Sequence, residues 1–78
     1  MTKEQVHKES EELNAKHTYL RYGQSVWTYC SSVDPELARQ VEDASDWKIF
    51  YIVDGDVDMP ELVDRFINTF LTKLKDKD

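Results

Sequence analysis

A chain of 78 residues has room for one domain, and a domain this short buries only about 60% of the surface its unfolded form exposes. An apolar content of 40%, with two Trp, four Tyr and three Phe, is enough for one core and argues against a disordered chain. A net charge of −6 repels phosphate backbones, so no direct nucleic-acid binding is expected.

Residues 2–16 are charged, free of Gly and Pro, and helix-compatible. Their apolar content is thin, with Val6 and Leu13 seven apart, and Glu4–Lys8 and Glu12–Lys16 are acid-before-base pairs at helical spacing. This segment is expected to be an exposed helix that leans on a partner or frays, outside a core formed by residues 17–75. From His17 the pattern thickens: Leu20, Gly23, Trp27 and Cys30 share one helical stripe, with Tyr19, Tyr22, Val26 and Tyr29 beside it. The seven-residue spacing Val6, Leu13, Leu20, Trp27 allows either one long helix or two joined by a bend near residues 16–18. Gly23 inside a helix costs about 1 kcal/mol relative to Ala, which points to a neighbouring element passing too close for a side chain.

Ser31-Ser32-Val33-Asp34-Pro35 closes that helix and opens another, with Asp34 as cap and Pro35 in the first turn. Its short apolar face is Leu37, Ala38 and Val41. Trp47-Lys48-Ile49-Phe50-Tyr51-Ile52-Val53 has strand-like composition, but the chain offers no second strand. It either pairs with a copy of itself or forms a short buried turn of helix or an extended segment, and the second option is favoured because a lone strand is unstable. Asp54-Gly55-Asp56-Val57-Asp58 reads as a turn. The last helix begins between Asp58 and Pro60, with Leu62, Val63, Phe66, Ile67, Phe70, Leu71 and Leu74 on one face. Lys73, Lys75 and Lys77 stand at its negative end. The expected fold is therefore all-α: one domain, a small bundle of three to four helices with a short extended or turn segment near 47–53. The last helix and the Leu20–Cys30 helix are expected to form its main pair.

Few residues suggest chemistry. Asp54, Asp56 and Asp58 resemble the opening of a calcium loop, but Met59 and Arg65 stand where the sixth-position Gly and twelfth-position Glu belong. His7 and His17 are ten apart, which is not the spacing of a helical ligand pair. Cys30, the single cysteine, lies on an apolar stripe and reads as inert packing. With Gly23 and Gly55 the only glycines, no phosphate loop is possible. No catalytic residue, cofactor or metal is expected, and the chain reads as a non-enzyme. The aromatic residues Tyr19, Tyr22, Trp27, Tyr29, Trp47 and Tyr51 exceed what one small core covers, and Tyr or Trp left at a surface anchors interfaces.

Leu20-Arg21-Tyr22-Gly23-Gln24, Asp34-Pro35-Glu36-Leu37-Ala38 and Phe50-Tyr51 together resemble a loose group of small uncharacterised proteins of bacteriophages and bacterial mobile elements. The similarity spans roughly residues 20–71. The chain departs from the group at Asp46-Trp47-Lys48-Ile49, where the group carries Asp-Pro before Phe-Tyr, and it has an additional charged helix in front. The resemblance lends no catalytic residues and implies a phage-type accessory protein that binds a host or viral protein.

The leading expectation is thus a protein-binding accessory module, possible as a homodimer through the aromatic segment or the first helix, with Arg21, Tyr22, Gln24, Tyr29, Trp47 and Tyr51 as contact residues. The alternative is an acidic mimic of nucleic acid that blocks a DNA- or RNA-binding protein. From Asp34 to Asp64 there are ten acidic residues against Arg39 and Lys48. The mimic would use Glu36, Glu42, Asp43, Asp46, Asp54, Asp56, Asp58, Glu61 and Asp64. A weaker alternative is a calcium-binding domain at Asp54, Asp56 and Asp58. The polar start Met1-Thr2-Lys3-Glu4-Gln5 is unlike a secretory signal. The longest apolar run, Ile49 to Val53, is far below the roughly 20 residues that span a bilayer. A cytoplasmic protein with no membrane partner is expected.

Overall fold

Helix starts fall where a neighbouring side chain can satisfy the N–H groups that the first turn leaves unpaired. In the computed structural model, which describes residues 1–45, 49–51 and 54–76, Thr2 Oγ1 accepts from Gln5 N at 3.1 Å and starts α1 (Lys3–Lys16). Arg21 N donates to Gln24 Oε1 at 2.9 Å at the start of α2 (Tyr22–Val33). Asp34 Oδ1 accepts from Leu37 N at 3.1 Å, with Pro35 opening α3 (Pro35–Ala44). A single 3₁₀ turn, Ile49–Tyr51, follows. After Gly55, whose φ of +91° suits glycine alone among common residues, α4 (Met59–Asp76) completes the described chain.

The molecule is a small all-α bundle with no strand among the described residues. Of the strand-like segment, Ile49, Phe50 and Tyr51 form the 3₁₀ turn, and Trp47, Lys48, Ile52 and Val53 lie outside the described residues. The first two helices are separate: the bend covers 17–21, closed by Leu20 N donating to the His17 carbonyl at 2.9 Å. The core draws on every element, with Val6, Val26, Cys30, Ala38, Ile49, Val63, Ile67 and Phe70 at 1% exposure or less. Phe66 and Phe70 stack with ring centres 6.4 Å apart.

Two expectations about packing need correction. Residues 2–16 form a helix whose outer face is exposed, but Val6 and Ser10 are fully buried, so α1 belongs to the core. The broadest helix pair is α1 with α2, ahead of α2 with α4. The reason is side-chain size. Ser10 and Ser25 are both wholly buried and let the two helices approach, whereas the large residues of α4 face α3 and the 3₁₀ turn as well. Ser10 Oγ satisfies itself on the Val6 carbonyl at 2.7 Å, so its burial leaves no orphaned hydroxyl.

Gly23 is the point of closest approach. A β-carbon added there would overlap the carbonyl oxygen of Ile49, a backbone atom that cannot rotate aside. Gly23→Ala should therefore destabilise the protein by about 1–3 kcal/mol through overpacking, which outweighs the ~1 kcal/mol helix-propensity gain. Gly23→Leu should cost more. Urea denaturation is the check, and an unchanged or raised midpoint for either variant would refute the close-packing account.

Candidate functional site

The 3₁₀ turn meets the first turn of α2 through Arg21 and Gly23, while Tyr22 and Gln24 serve the start of that helix. Arg21 Nη2 donates to the Phe50 carbonyl at 3.1 Å, and Tyr22 N donates to Asp54 Oδ1 at 2.7 Å. Gly23 admits the Ile49 carbonyl, and Gln24 caps the helix through Arg21 N. Phe50 also meets Trp27 edge-on, with ring centres 5.5 Å apart. A backbone held at so many points is set for the residue that follows Phe50. That residue, Tyr51, is 70% exposed and packs edge-on against Phe50 at 5.5 Å.

Beside Tyr51 a cleft of about 350 Å³ is lined by Trp27, Arg39, Glu42, Asp43, Phe50 and Tyr51. Its floor is aromatic and its rim carries both signs of charge. Such a surface is suited to an apolar side chain with a polar neighbour rather than to covalent chemistry. Trp27 Nε1 is buried without an acceptor among the described residues, an unusual state for an indole N–H.

The six residues expected to make contacts thus divide by role. Arg21 holds the turn through the Phe50 carbonyl, the backbone of Tyr22 binds Asp54, and Gln24 caps α2. Tyr51 is presented by the turn. Tyr29 is half-buried against the core, and Trp47 lies outside the described residues.

A second polar cluster was not anticipated from the sequence. His7 of α1 bridges two helices. Its Nδ1 meets Tyr22 Oη of α2 at 2.5 Å, and its Nε2 meets Asp64 Oδ1 of α4 at 3.2 Å. Lys3 Nζ approaches Asp64 Oδ2 at 3.3 Å, and the His7 and Tyr22 rings stack 11° from parallel. With Met59, Pro60 and Val63 these residues line a second cleft of about 380 Å³. Burial, then the charges of Glu11 and Asp64, push the Tyr22 hydroxyl up to about 12. The phenol therefore keeps its proton at neutral pH, and the direction of its bond to His7 Nδ1 follows the imidazole tautomer. A phenol so hard to ionise is a structural hydrogen-bonding group, not an activated nucleophile. The sequence signal was present but mixed: Val6, His7, Ser10 and Asn14 recur at helical spacing, so polar residues share the inward stripe of α1.

Among the described residues, no group of three or more His, Cys, Asp or Glu is placed to hold a metal ion. Two of the three turn aspartates already have partners. Asp54 caps α2 through Tyr22 N, and Asp56 Oδ1 accepts from Asp58 N at 2.9 Å. Cys30 is wholly buried and its thiol is pushed up to about 12 by burial alone, so it is protonated and unreactive at neutral pH. None of the described helices is long and apolar enough to cross a membrane. Comparison with protein-family models, with curated proteins and with solved structures gives no match to this chain.

Two outcomes follow from this geometry. Tyr22 ionises near 10 when unfolded and near 12 when folded, so the folded state binds the extra proton between those values. Stability should then be fully present below pH 10 and fall as pH rises toward 12. Cys30, raised from 9.0 to about 12, adds a fall of the same sign that begins near pH 9. Tyr22→Phe should flatten the upper part of this slope in urea melts taken across the alkaline range. Calorimetric titration with calcium should show no saturable binding below millimolar concentration, and micromolar affinity would mean that Asp54 and Asp56 exchange their backbone partners for the ion.

Proposed function

We propose that the chain is a non-enzymatic protein-binding module whose contact surface is centred on Tyr51 and the adjoining Trp27–Phe50 cleft. The observation that carries this reading is the exposure of Tyr51 on a turn whose backbone is tied to α2 by Arg21 and seated against Gly23. An aromatic side chain presented from a fixed backbone loses little conformational freedom on binding, which is how Tyr becomes an energetic anchor. Tyr19 is exposed to 79% and stands on the 17–21 bend, edge-on to the His17 ring at 5.7 Å and with a long contact, 3.4 Å, to His17 Nδ1. It is the natural comparison. The resemblance of the Arg21-Tyr22-Gly23-Gln24 and Pro35-Glu36-Leu37-Ala38 segments to phage and mobile-element proteins supports an accessory role against a host or viral protein, in the cytoplasm.

The acidic-mimic reading keeps one specific support. Glu36, Asp43, Asp54, Asp56, Asp58 and Glu61 are all exposed. Its surface is reduced, however, by Glu42, which is 7% exposed, and by Asp64, which is paired with Lys3 and His7.

Affinity capture with wild type, Tyr51→Ala and Tyr19→Ala separates these readings. A protein retained by wild type and Tyr19→Ala but released by Tyr51→Ala supports the aromatic anchor. Loss of a hot-spot residue worth about 2 kcal/mol weakens binding roughly 30-fold. Retention by Tyr51→Ala at low salt, with release at moderate salt, would instead favour the acidic mimic.

A further inference from the structure

Helix α1 packs broadly on α2 through small and polar residues as well as Val6. It buries Val6 and Ser10 completely. Its polar ties are His7 to Tyr22 and Asp64, Lys3 to Asp64, and Asn14 Nδ2 to the Leu20 carbonyl at 2.8 Å and Ser25 Oγ at 3.3 Å. Release of α1 uncovers the core around Val6, while each polar group regains water on leaving.

The bend that returns α1 onto α2 is not imposed by its own residues. His17, Thr18, Tyr19, Leu20 and Arg21 include neither Gly nor Pro, and nothing in their side chains forbids helix. His17, at φ −123° and ψ 76°, and Arg21, at φ −74° and ψ 159°, depart from helical geometry. The turn between them rests on the Leu20 N to His17 carbonyl bond and on Asn14 reaching the Leu20 carbonyl. Straightening residues 17–21 would give a continuous helix from Lys3 to Val33, about 46 Å long, with Val6, Leu13, Leu20 and Trp27 on one stripe. His17 N already donates to the Leu13 carbonyl as in a helix, and the N–H groups of Leu20, Arg21 and Tyr22 would exchange the His17 carbonyl, Gln24 Oε1 and Asp54 Oδ1 for helical acceptors.

We propose that α1 exchanges between two copies of this chain. In each copy the 17–21 bend straightens, and the released α1 docks on α2 and α4 of the other. The occupant of the vacated groove has the sequence of the segment that left it, so Val6 in the core, His7 between Tyr22 and Asp64, and Lys3 on Asp64 are remade across the pair, and of the α1 contacts only the Asn14 bond to the Leu20 carbonyl is lost with the bend. The arrangement is two-fold and closed, with the fused helices side by side, and it needs no surface beyond the one already built. This inference concerns a second copy as partner, and the straightened helix would also draw Tyr22 N from Asp54 and Arg21 N from Gln24.

The test uses the intact protein. Unlabelled and ¹⁵N-labelled chains are mixed, equilibrated at high concentration and separated by size. A carbodiimide then joins the Lys3 amine to the Asp64 carboxylate, which lie 3.3 Å apart, and the linked peptides are read by mass spectrometry. In the dimer fraction, Lys3–Asp64 peptides with one light and one heavy half are expected. Dimers without such mixed peptides, or a chain that sediments as a monomer up to submillimolar concentration, would overturn the proposal. Thr18→Pro adds a second measurement: proline forbids the straightened helix but is tolerated just past a helix end, so this variant should remain monomeric. A Thr18→Pro protein that dimerises like wild type would also overturn it, and if the variant does not fold, the mixed-label result decides alone.

Discussion

The contact between Gly23 and the Ile49 carbonyl sets the arrangement of the 3₁₀ turn and everything it carries. A backbone oxygen can sit against a helix only where the helix has no side chain, and α2 offers that opening at one position. Once the carbonyl is seated there, Ile49 enters the core at 1% exposure, Phe50 turns onto Trp27, and the Phe50 carbonyl comes within reach of Arg21. Asp54 then falls at the start of α2, where its carboxylate is favoured by the helix dipole as well as by the Tyr22 N–H. The Arg-Tyr-Gly-Gln run is best understood as one device, in which each residue serves the same junction by a different physical means.

A different kind of glue operates on the opposite side of α2. The α1–α2 seam is narrow and polar, with serines in the contact and asparagine and histidine beside it. Buried polar groups contribute less to stability than apolar packing but define geometry more sharply, because each must find a partner. His7 is the clearest case, since its ring nitrogens face Tyr22 on α2 and Asp64 on α4. The relative placement of α1, α2 and α4 is read through that one imidazole.

The sequence made the helices plain where apolar periodicity was strong or caps were explicit. Leu62 through Leu74 and the Asp34-Pro35 junction needed no tertiary information. Gly23 announced a close neighbour but could not say which, because the Ile49 carbonyl arrives from outside the helix. Residues 49–51 are strand-like in composition, but the lack of a second strand favours a short turn, and a 3₁₀ turn forms where α2 receives this backbone by its carbonyl and side chains. The bend at 17–21 was ambiguous for the reason that no residue in it breaks a helix. Of the contact residues, Tyr51 was legible as an amphipathic aromatic in a chain rich in them. The inward roles of Arg21 and Tyr22 were not, since their partners Phe50, Asp54 and His7 are distant in sequence.

The burial of Cys30 makes the chain its own reporter of motion. The sulfur sits in the middle of α2 with no exposed surface, and its high pKa suppresses the thiolate that alkylating reagents attack. Modification at neutral pH must therefore wait for an opening that brings the thiol to solvent. When reclosing is faster than labelling, the rate reads the free energy of that opening. A single native side chain thus offers a clock for the cohesion of the bundle, without an introduced probe.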